Sequence, residues 1–126
     1  MKKKVLSFVL CVAVMLSVFS LSVLAVRQPV TLTTSDRYAE SGTVYGYWKL
    51  YSGKNESYSA DSVYFITKYN LGAGIWISDV SHLLEPGKSF TDERTSTLGT
   101  ERIWKLVLNP KGANSYGCGA SGEIRN

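Results

Sequence analysis

The stretch TVYGYWKLY, Thr43–Tyr51, alternates between two sets of side chains. Successive side chains of an extended strand point to opposite faces, and aromatic residues are frequent in strands. The stretch therefore predicts a β-strand. The set predicted to face the core is Val44, Gly46, Trp48 and Leu50. The set predicted on the opposite face is Tyr45, Tyr47, Lys49 and Tyr51.

Further strands follow along the chain. DSVYFITKYN (61–70) and LGAGIWISDV (71–80) are rich in β-branched and aromatic residues, and RIWKLVLNP (102–110) is the strongest strand pattern of all. Pro86-Gly87 is typical of a type II turn, in which proline fixes φ and glycine accepts a positive φ. TDERTSTLGTE (91–101) is predicted as a loop. CGASGEIR (118–125) is predicted to return beside the 102–110 strand as a final hairpin.

These patterns predict an all-β protein, a small antiparallel β-sandwich of about six to eight strands. The alternating strands and the LEPGKSF turn resemble those of many bacterial immunoglobulin-like sandwiches, a resemblance of architecture that names no activity. One domain is expected over 42–126, after a flexible lead-in at 26–41 that includes one edge strand near Val30–Thr34.

The amino terminus has the pattern of a signal peptide. Lys2–Lys4 precede an uncharged apolar run, Val5–Val26, and Val23 and Ala25 supply the small residues of a cleavage site. We expect residues 1–25 to be a helical signal peptide, cleaved after Ala25, and the protein to be secreted or extracytoplasmic. The alternative is a chain anchored in the membrane by an uncleaved segment 5–26. The compact, lysine-rich signal indicates a bacterial source.

Charge argues against nucleic acid as a partner. The chain carries a net charge of +4, but three of the cations are Lys2–Lys4; residues 26–126 hold 11 Lys and Arg against 10 Asp and Glu. These cations are scattered, whereas a nucleic-acid site needs them clustered. The same near-neutrality gives little attraction to anionic lipid.

Exposed aromatic side chains are the candidate ligand-binding groups. Aromatic rings on a rigid sheet can stack on a sugar or grip a peptide while their polar edges form hydrogen bonds. The predicted binding residues are Tyr45, Tyr47, Tyr51 and Trp76. Cross-strand packing, or a core on this same face, would explain the tyrosines equally well.

Catalytic and metal chemistry have little support. His82 is the one histidine and Cys118 is the one cysteine after Ala25. These two residues fall short of a zinc ligand set, and the uncharged flanks of Cys118 do not favour a reactive thiolate. No cofactor, metal or catalytic residue is predicted. Cys118, a free thiol, is expected to be a buried small hydrophobe, and the alternative is a disulfide-linked homodimer through Cys118.

Together these observations predict an exported, noncatalytic β-sandwich that binds a polysaccharide or protein of the cell exterior through exposed aromatics. The alternative function is that of a secreted antimicrobial or toxin-like protein acting on competitor envelopes.

Overall fold

The computed structural model describes residues 26–95, 100–111 and 115–126, and the predicted signal peptide, 1–25, lies outside these residues. Nine strands are present in the described part of the chain. They are β1 Arg27–Leu32, β2 Ala39–Glu40, β3 Val44–Gly46, β4 Trp48–Asn55, β5 Val63–Gly72, β6 Ile75–Leu84, β7 Ser89–Thr95, β8 Arg102–Pro110 and β9 Ala120–Arg125. Across these same residues, no helix is long and apolar enough to cross a membrane.

Two antiparallel sheets form a β-sandwich, as the sequence predicts. Sheet A has the order β1-β9-β4-β7, and sheet B has the order β2-β8-β5-β6, with β3 also paired to β8. The strand count exceeds the predicted six to eight because β2 and β3 are short and lie one after the other along β8. The chain changes sheet at nearly every connection, which is the connectivity of a jelly roll rather than of an immunoglobulin domain.

The segment predicted as a flexible lead-in, 26–41, lies within the sandwich. All six residues of β1 pair with β9, from Arg27↔Arg125 to Leu32↔Ala120. Val30 and Leu32 are buried in the core. The predicted start of the domain at Gly42 therefore lies after β1, which is already paired with β9. The expected edge strand near Val30–Thr34 corresponds to β1, which forms one edge of sheet A.

The prediction of one continuous strand over Thr43–Tyr51 is wrong. β3 belongs to sheet B and β4 to sheet A, so the chain crosses the sandwich between Gly46 and Trp48. The crossing changes which residues face inward. Val44 is buried as predicted, but in the part of this stretch that belongs to β4 the buried side chains are Lys49 and Tyr51, while Trp48 is exposed.

Glycines permit the two turns that follow. β5 and β6 form a hairpin whose tip has positive φ at Gly72, Ala73 and Gly74. After β6, Gly87 has a φ of 82° and the Lys88 N–H donates to the Glu85 carbonyl at 3.1 Å, which is the predicted type II turn. This turn carries the chain from sheet B to sheet A.

Two further segments differ from their predictions. Residues 91–95 of the predicted loop belong to β7, which pairs with β4 from Trp48↔Thr95 to Lys54↔Ser89. β9 pairs with β1 and β4 in sheet A, and not with β8. The final hairpin is absent because the chain turns at Gly117, whose φ is 94°, and enters the other sheet.

The core lies between the inner faces of the sheets. β5 and β8 supply its largest part, with Phe65, Trp104, Leu106 and Leu108 all at most 2% exposed. Cys118 is fully buried in the same cluster, as predicted for a small hydrophobe. Burying a side chain of this kind stabilises a fold by about 1.5–3 kcal/mol, so this cluster is the main source of stability.

Candidate binding face and inner polar cluster

The structure separates the four predicted ligand-binding aromatics. Tyr45 is 56% exposed on the outer face of sheet B, and Trp76 is partly exposed on the same face. Tyr47 is exposed but lies in the crossing between the sheets. Tyr51 is 1% exposed and packs in the core, because β4 begins a new alternation after the crossing. The predicted site is therefore reduced to Tyr45 and Trp76.

Strand register places Tyr45 and Trp76 in one row across the outer face of sheet B. Tyr45 pairs with Ile103, and Asn70 pairs with Trp76. The pairing Tyr69↔Trp104 brings Asn70 beside Ile103. The row therefore runs Tyr45–Ile103–Asn70–Trp76 over four strands, a span of roughly 14 Å at the usual strand spacing. We call this set the aromatic row.

A polar network continues from Trp76 along the same face. The Lys105 ammonium lies 4.2 Å from the centroid of the Trp76 ring and donates to Glu40 Oε2 at 2.9 Å. The Tyr38 hydroxyl donates to the same oxygen at 2.7 Å. These contacts fix a cation, a carboxylate and a phenol beside one indole ring.

The network shifts two pKa values. Burial, and then the hydrogen bond to Glu40, raises the pKa of Tyr38 to about 12. The hydrogen bond from Lys105, followed by the one from Tyr38, lowers the pKa of Glu40. Glu40 is therefore a carboxylate, and Tyr38 a neutral hydrogen-bond donor, at neutral pH.

Two shallow concavities lie on either side of Tyr45 and Ile103. One, of about 390 Å³, is lined by Val26, Thr43, Val44 and Asn126 together with these two residues. The other, of about 300 Å³, is lined by Tyr45, Asn70–Ala73 and Glu101–Ile103. The Tyr45 ring is thus accessible on a ridge.

Two hydrogen bonds hold this ridge. Asn126 Nδ2 donates to the Tyr45 carbonyl at 2.9 Å, which ties β3 to the carboxyl end of the described chain. A side-chain hydrogen bond to Glu101 raises the pKa of the Tyr45 hydroxyl. Backbone and side chain are therefore both positioned.

The inner face holds a polar cluster that the sequence did not predict. His82 Nε2 lies 3.0 Å from the Tyr51 hydroxyl and 3.1 Å from Asp92 Oδ2, and the Tyr51 hydroxyl donates to the same Asp92 oxygen at 3.2 Å. His82 stacks on Phe90 with ring centroids 4.5 Å apart. The bonds join β6 of sheet B to β4 and β7 of sheet A.

A second inner contact lies on β4, two residues before Tyr51. The side chain of Lys49 is fully buried, and its ammonium donates to Asp79 Oδ2 at 2.6 Å and lies 3.3 Å from the Trp104 ring centroid. Asp79 is the extra residue of a β-bulge in β6, where the pairing partners change from Thr67↔Val80 to Lys68↔Ser78. The bulge directs the Asp79 carboxylate towards Lys49, and no local sequence pattern predicts it.

Cys118 and His82 have different surroundings. The Cys118 thiol lies 3.5 Å from the Asp61 carbonyl oxygen, within the core, whereas His82 belongs to the cluster with Tyr51 and Asp92. Over the described ranges no three His, Cys, Asp or Glu side chains are grouped as metal ligands.

Fold and surface together define a jelly-roll β-sandwich with an aromatic row on the outer face of sheet B. No protein-family model matches the chain, and no curated protein matches it. The chain is similar to a solved structure, the Yersinia pseudotuberculosis-derived mitogen, with a TM-score of 0.39 and 15% sequence identity over 79% of this chain and 74% of that one.

Proposed function

We propose that the protein is an exported, noncatalytic jelly roll that binds a polysaccharide of the cell exterior through the aromatic row. The observation that carries this proposal is the alignment of Tyr45 and Trp76 on one sheet face, with Ile103 and Asn70 between them. Aromatic rings present broad apolar surfaces at a low cost in conformational entropy, and sugar rings have apolar faces on which they stack.

The rigidity of the row supports the proposal. Its members stand on paired strands, and β8 and β5, which carry Ile103 and Asn70, lie inside sheet B. Preorganised side chains lose little freedom when a ligand binds. A row about 14 Å long, calculated from strand spacing, suits several consecutive units of an extended chain.

Polar groups beside the row supply hydrogen bonds for sugar hydroxyls. Glu40 and the Tyr38 hydroxyl oxygen are acceptors, because the one Tyr38 O–H is donated to Glu40, and Lys105 is a donor; all three are held by their mutual contacts. The Asn70 side-chain oxygen accepts from the Gly72 N–H at 2.6 Å, which orients its amide nitrogen as a donor. Apolar surface edged by a few fixed polar groups is the usual composition of a ligand site.

The test is retention of the protein by insoluble polysaccharides: peptidoglycan, chitin, cellulose and purified wall polysaccharide. Trp76→Ala and Tyr45→Ala are each expected to lower retention about tenfold or more, the range for central aromatic contacts. Tyr58→Ala is the matched control, because Tyr58 is 67% exposed and lies outside the row. Thermal unfolding of each variant separates loss of binding from loss of fold.

The outcomes are distinct. Retention by at least one polysaccharide, lost in the two row variants and kept in the control, supports the proposal. Equal retention of all variants, or no retention of the wild type, would overturn it. The mass of the protein recovered from the culture medium tests export: cleavage after Ala25 gives a chain that begins at Val26.

A further inference from the structure

The strand directions bring several chain segments to one end of the sandwich. These are the β5–β6 tip, the crossing from β3 to β4, the beginning of β8, the beginning of β1 and the end of β9. We call this the apolar end. The opposite end contains the turn at Pro86-Gly87 and the chain between β4 and β5.

Exposed apolar side chains are concentrated at the apolar end. Eight of the twelve exposed large hydrophobic residues in the described chain are there, and three of the other four are tyrosines. The eight are Val26, Tyr45, Tyr47, Trp48, Leu71, Ile75, Ile77 and Ile103. A contiguous exposed apolar surface marks an interaction site more often than scattered apolar residues do.

The β5–β6 hairpin projects from this end. Leu71 is 50% exposed and Ile75 is 54% exposed, one on each side of the tip. A methyl group added at Gly72 or Gly74 would meet no atom within 4 Å, so the tip is open to its surroundings. Two large aliphatic side chains are therefore presented on a narrow projection.

The position of Val26 indicates which partner this end meets. Val26 lies at the apolar end, where its N–H donates to Asn126 Oδ1 at 2.8 Å and its side chain lines the concavity beside Tyr45. The residue directly follows the 21 preceding residues of the uncharged run that starts at Val5. A run of this length enters the bilayer during export and would stay there as an uncleaved anchor, so the apolar end is the part of the domain that would face the lipid.

We propose that the apolar end is a membrane-contact surface that rests on a lipid bilayer, with Leu71 and Ile75 inserted and Tyr47 and Trp48 at the interface. Trp and Tyr favour the boundary between lipid and water, and aliphatic side chains favour the layer beneath it. Of the cations at this end, Arg27 is paired with Glu123 at 3.2 Å, and Arg102 and Arg125 are only partly exposed. We therefore expect apolar surface to contribute more to the contact than attraction to anionic lipid does.

This inference goes beyond polysaccharide binding and uses separate residues for its test. The protein, as recovered from the producing cells, is combined with phosphatidylcholine vesicles that contain brominated phosphatidylcholine, a quencher of indole fluorescence. A Trp76→Phe background leaves Trp48, 37% exposed, and Trp104, 2% exposed, as emitters in the described chain. An anchor alone would hold the domain near the bilayer, whereas quenching of Trp48 requires that this end make contact.

Brominated lipid is expected to quench Trp48, and the double variant Leu71→Ser/Ile75→Ser is expected to raise the lipid concentration needed for half-maximal quenching roughly tenfold or more. Tyr58→Ser/Tyr116→Ser is the matched control, because it removes two exposed rings outside the apolar end and should leave quenching unchanged. Addition of anionic phosphatidylglycerol should change the result by less than about threefold. The Leu71→Ser/Ile75→Ser variant made with Trp76 intact should be retained by polysaccharide as the wild type is, which separates the two proposals.

Three results would overturn the inference. The first is an unquenched Trp48 in the wild type. The second is equal quenching in the Leu71/Ile75 variant. The third is a dimer in analytical ultracentrifugation that the same variant dissociates, because a second copy would then cover this end. Vesicles loaded with dye should retain it. Release of the dye would instead indicate that the protein disrupts the bilayer, which is the toxin-like alternative function.

Discussion

We predict that replacing Lys49 and replacing Asp79, the two members of one buried ion pair, lower the free energy of unfolding by different amounts. The Lys49 side chain is 0% exposed, whereas the Asp79 side chain is 22% exposed. If Asp79 is replaced by Asn, the ammonium stays in the core without this carboxylate. If Lys49 is replaced by Met, the remaining carboxylate is reached by water. Asp79→Asn should therefore lower stability more than Lys49→Met does, although Asp79 is the more exposed residue.

The magnitudes follow from breaking a buried ion pair at one of its two members. Removing one partner of a buried pair costs about 3–5 kcal/mol, and Asp79→Asn should fall near the lower limit, about 3 kcal/mol. Lys49→Met keeps most of the side-chain volume and leaves a partly solvated carboxylate, so it should cost about 1 kcal/mol, the upper end of the range for exposed ion pairs. For a domain of about this size, 1 kcal/mol corresponds to a change in Tm of roughly 4–8 °C, so Asp79→Asn should lower Tm by roughly 12–24 °C.

Urea unfolding at neutral pH, followed by tryptophan fluorescence, measures the free energy of unfolding of the two single variants and of the double variant. The double variant should be more stable than Asp79→Asn alone, because it removes both charges together. A finding that Lys49→Met is at least as destabilising as Asp79→Asn, or that the two losses add, would refute the reasoning.

Three other outcomes follow from the structure. Cys118 is fully buried, so a maleimide should label it only after unfolding, and native protein should run as a monomer without reductant. Gly53→Ala should lower stability by about 2 kcal/mol or more in urea unfolding, since its new methyl group would overlap two phenylalanine rings of the core. Gly42→Ala meets only the mobile end of a glutamine side chain and should cost little. Near-ultraviolet titration should show Tyr38 ionising at about pH 12, and Glu40→Gln should lower that pKa while leaving it above 10.0, because burial, its larger cause, remains. The raised pKa means that the contribution of Tyr38 to stability is present below pH 10.0 and is lost as the pH rises towards 12.

The sequence predicts strands better than it predicts which sheet they join. β5 and β8 follow from runs of β-branched and aromatic residues, and the turn at Pro86-Gly87 follows from proline and glycine chemistry. These are local properties. The partners of β9 depend on long-range pairing. β9 lies beside β1, which comes from the beginning of the domain sequence, whereas a hairpin with β8 had been expected.

The exposed aromatic residues were predicted only in part, and the reason is the crossing at Gly46–Trp48. Period-two alternation gives the face of each residue relative to its neighbours, but a crossing between sheets restarts the pattern. Tyr45 lies before the crossing and keeps its predicted exposure, whereas Tyr51 lies after it and is buried. Lys49 is buried with Tyr51, and no local pattern predicts a charged residue there, because its partner Asp79 is 30 residues away at a bulge.

The inner polar side chains of β4 explain how a small sandwich with one cysteine after Ala25 keeps its sheets in register. Lys49 bonds to Asp79, Tyr51 bonds to His82, and Asn55 donates at 3.0 Å to the last carbonyl of β6. All three contacts join sheet A to sheet B on the same side of the sandwich, and each forms only at one relative position of the sheets. Small exported domains commonly use disulfides for this purpose, and one cysteine cannot supply an intramolecular bridge. Substitutions in this set should therefore change stability while leaving the side chains of the aromatic row and of the apolar end, both on the outer surface, in place.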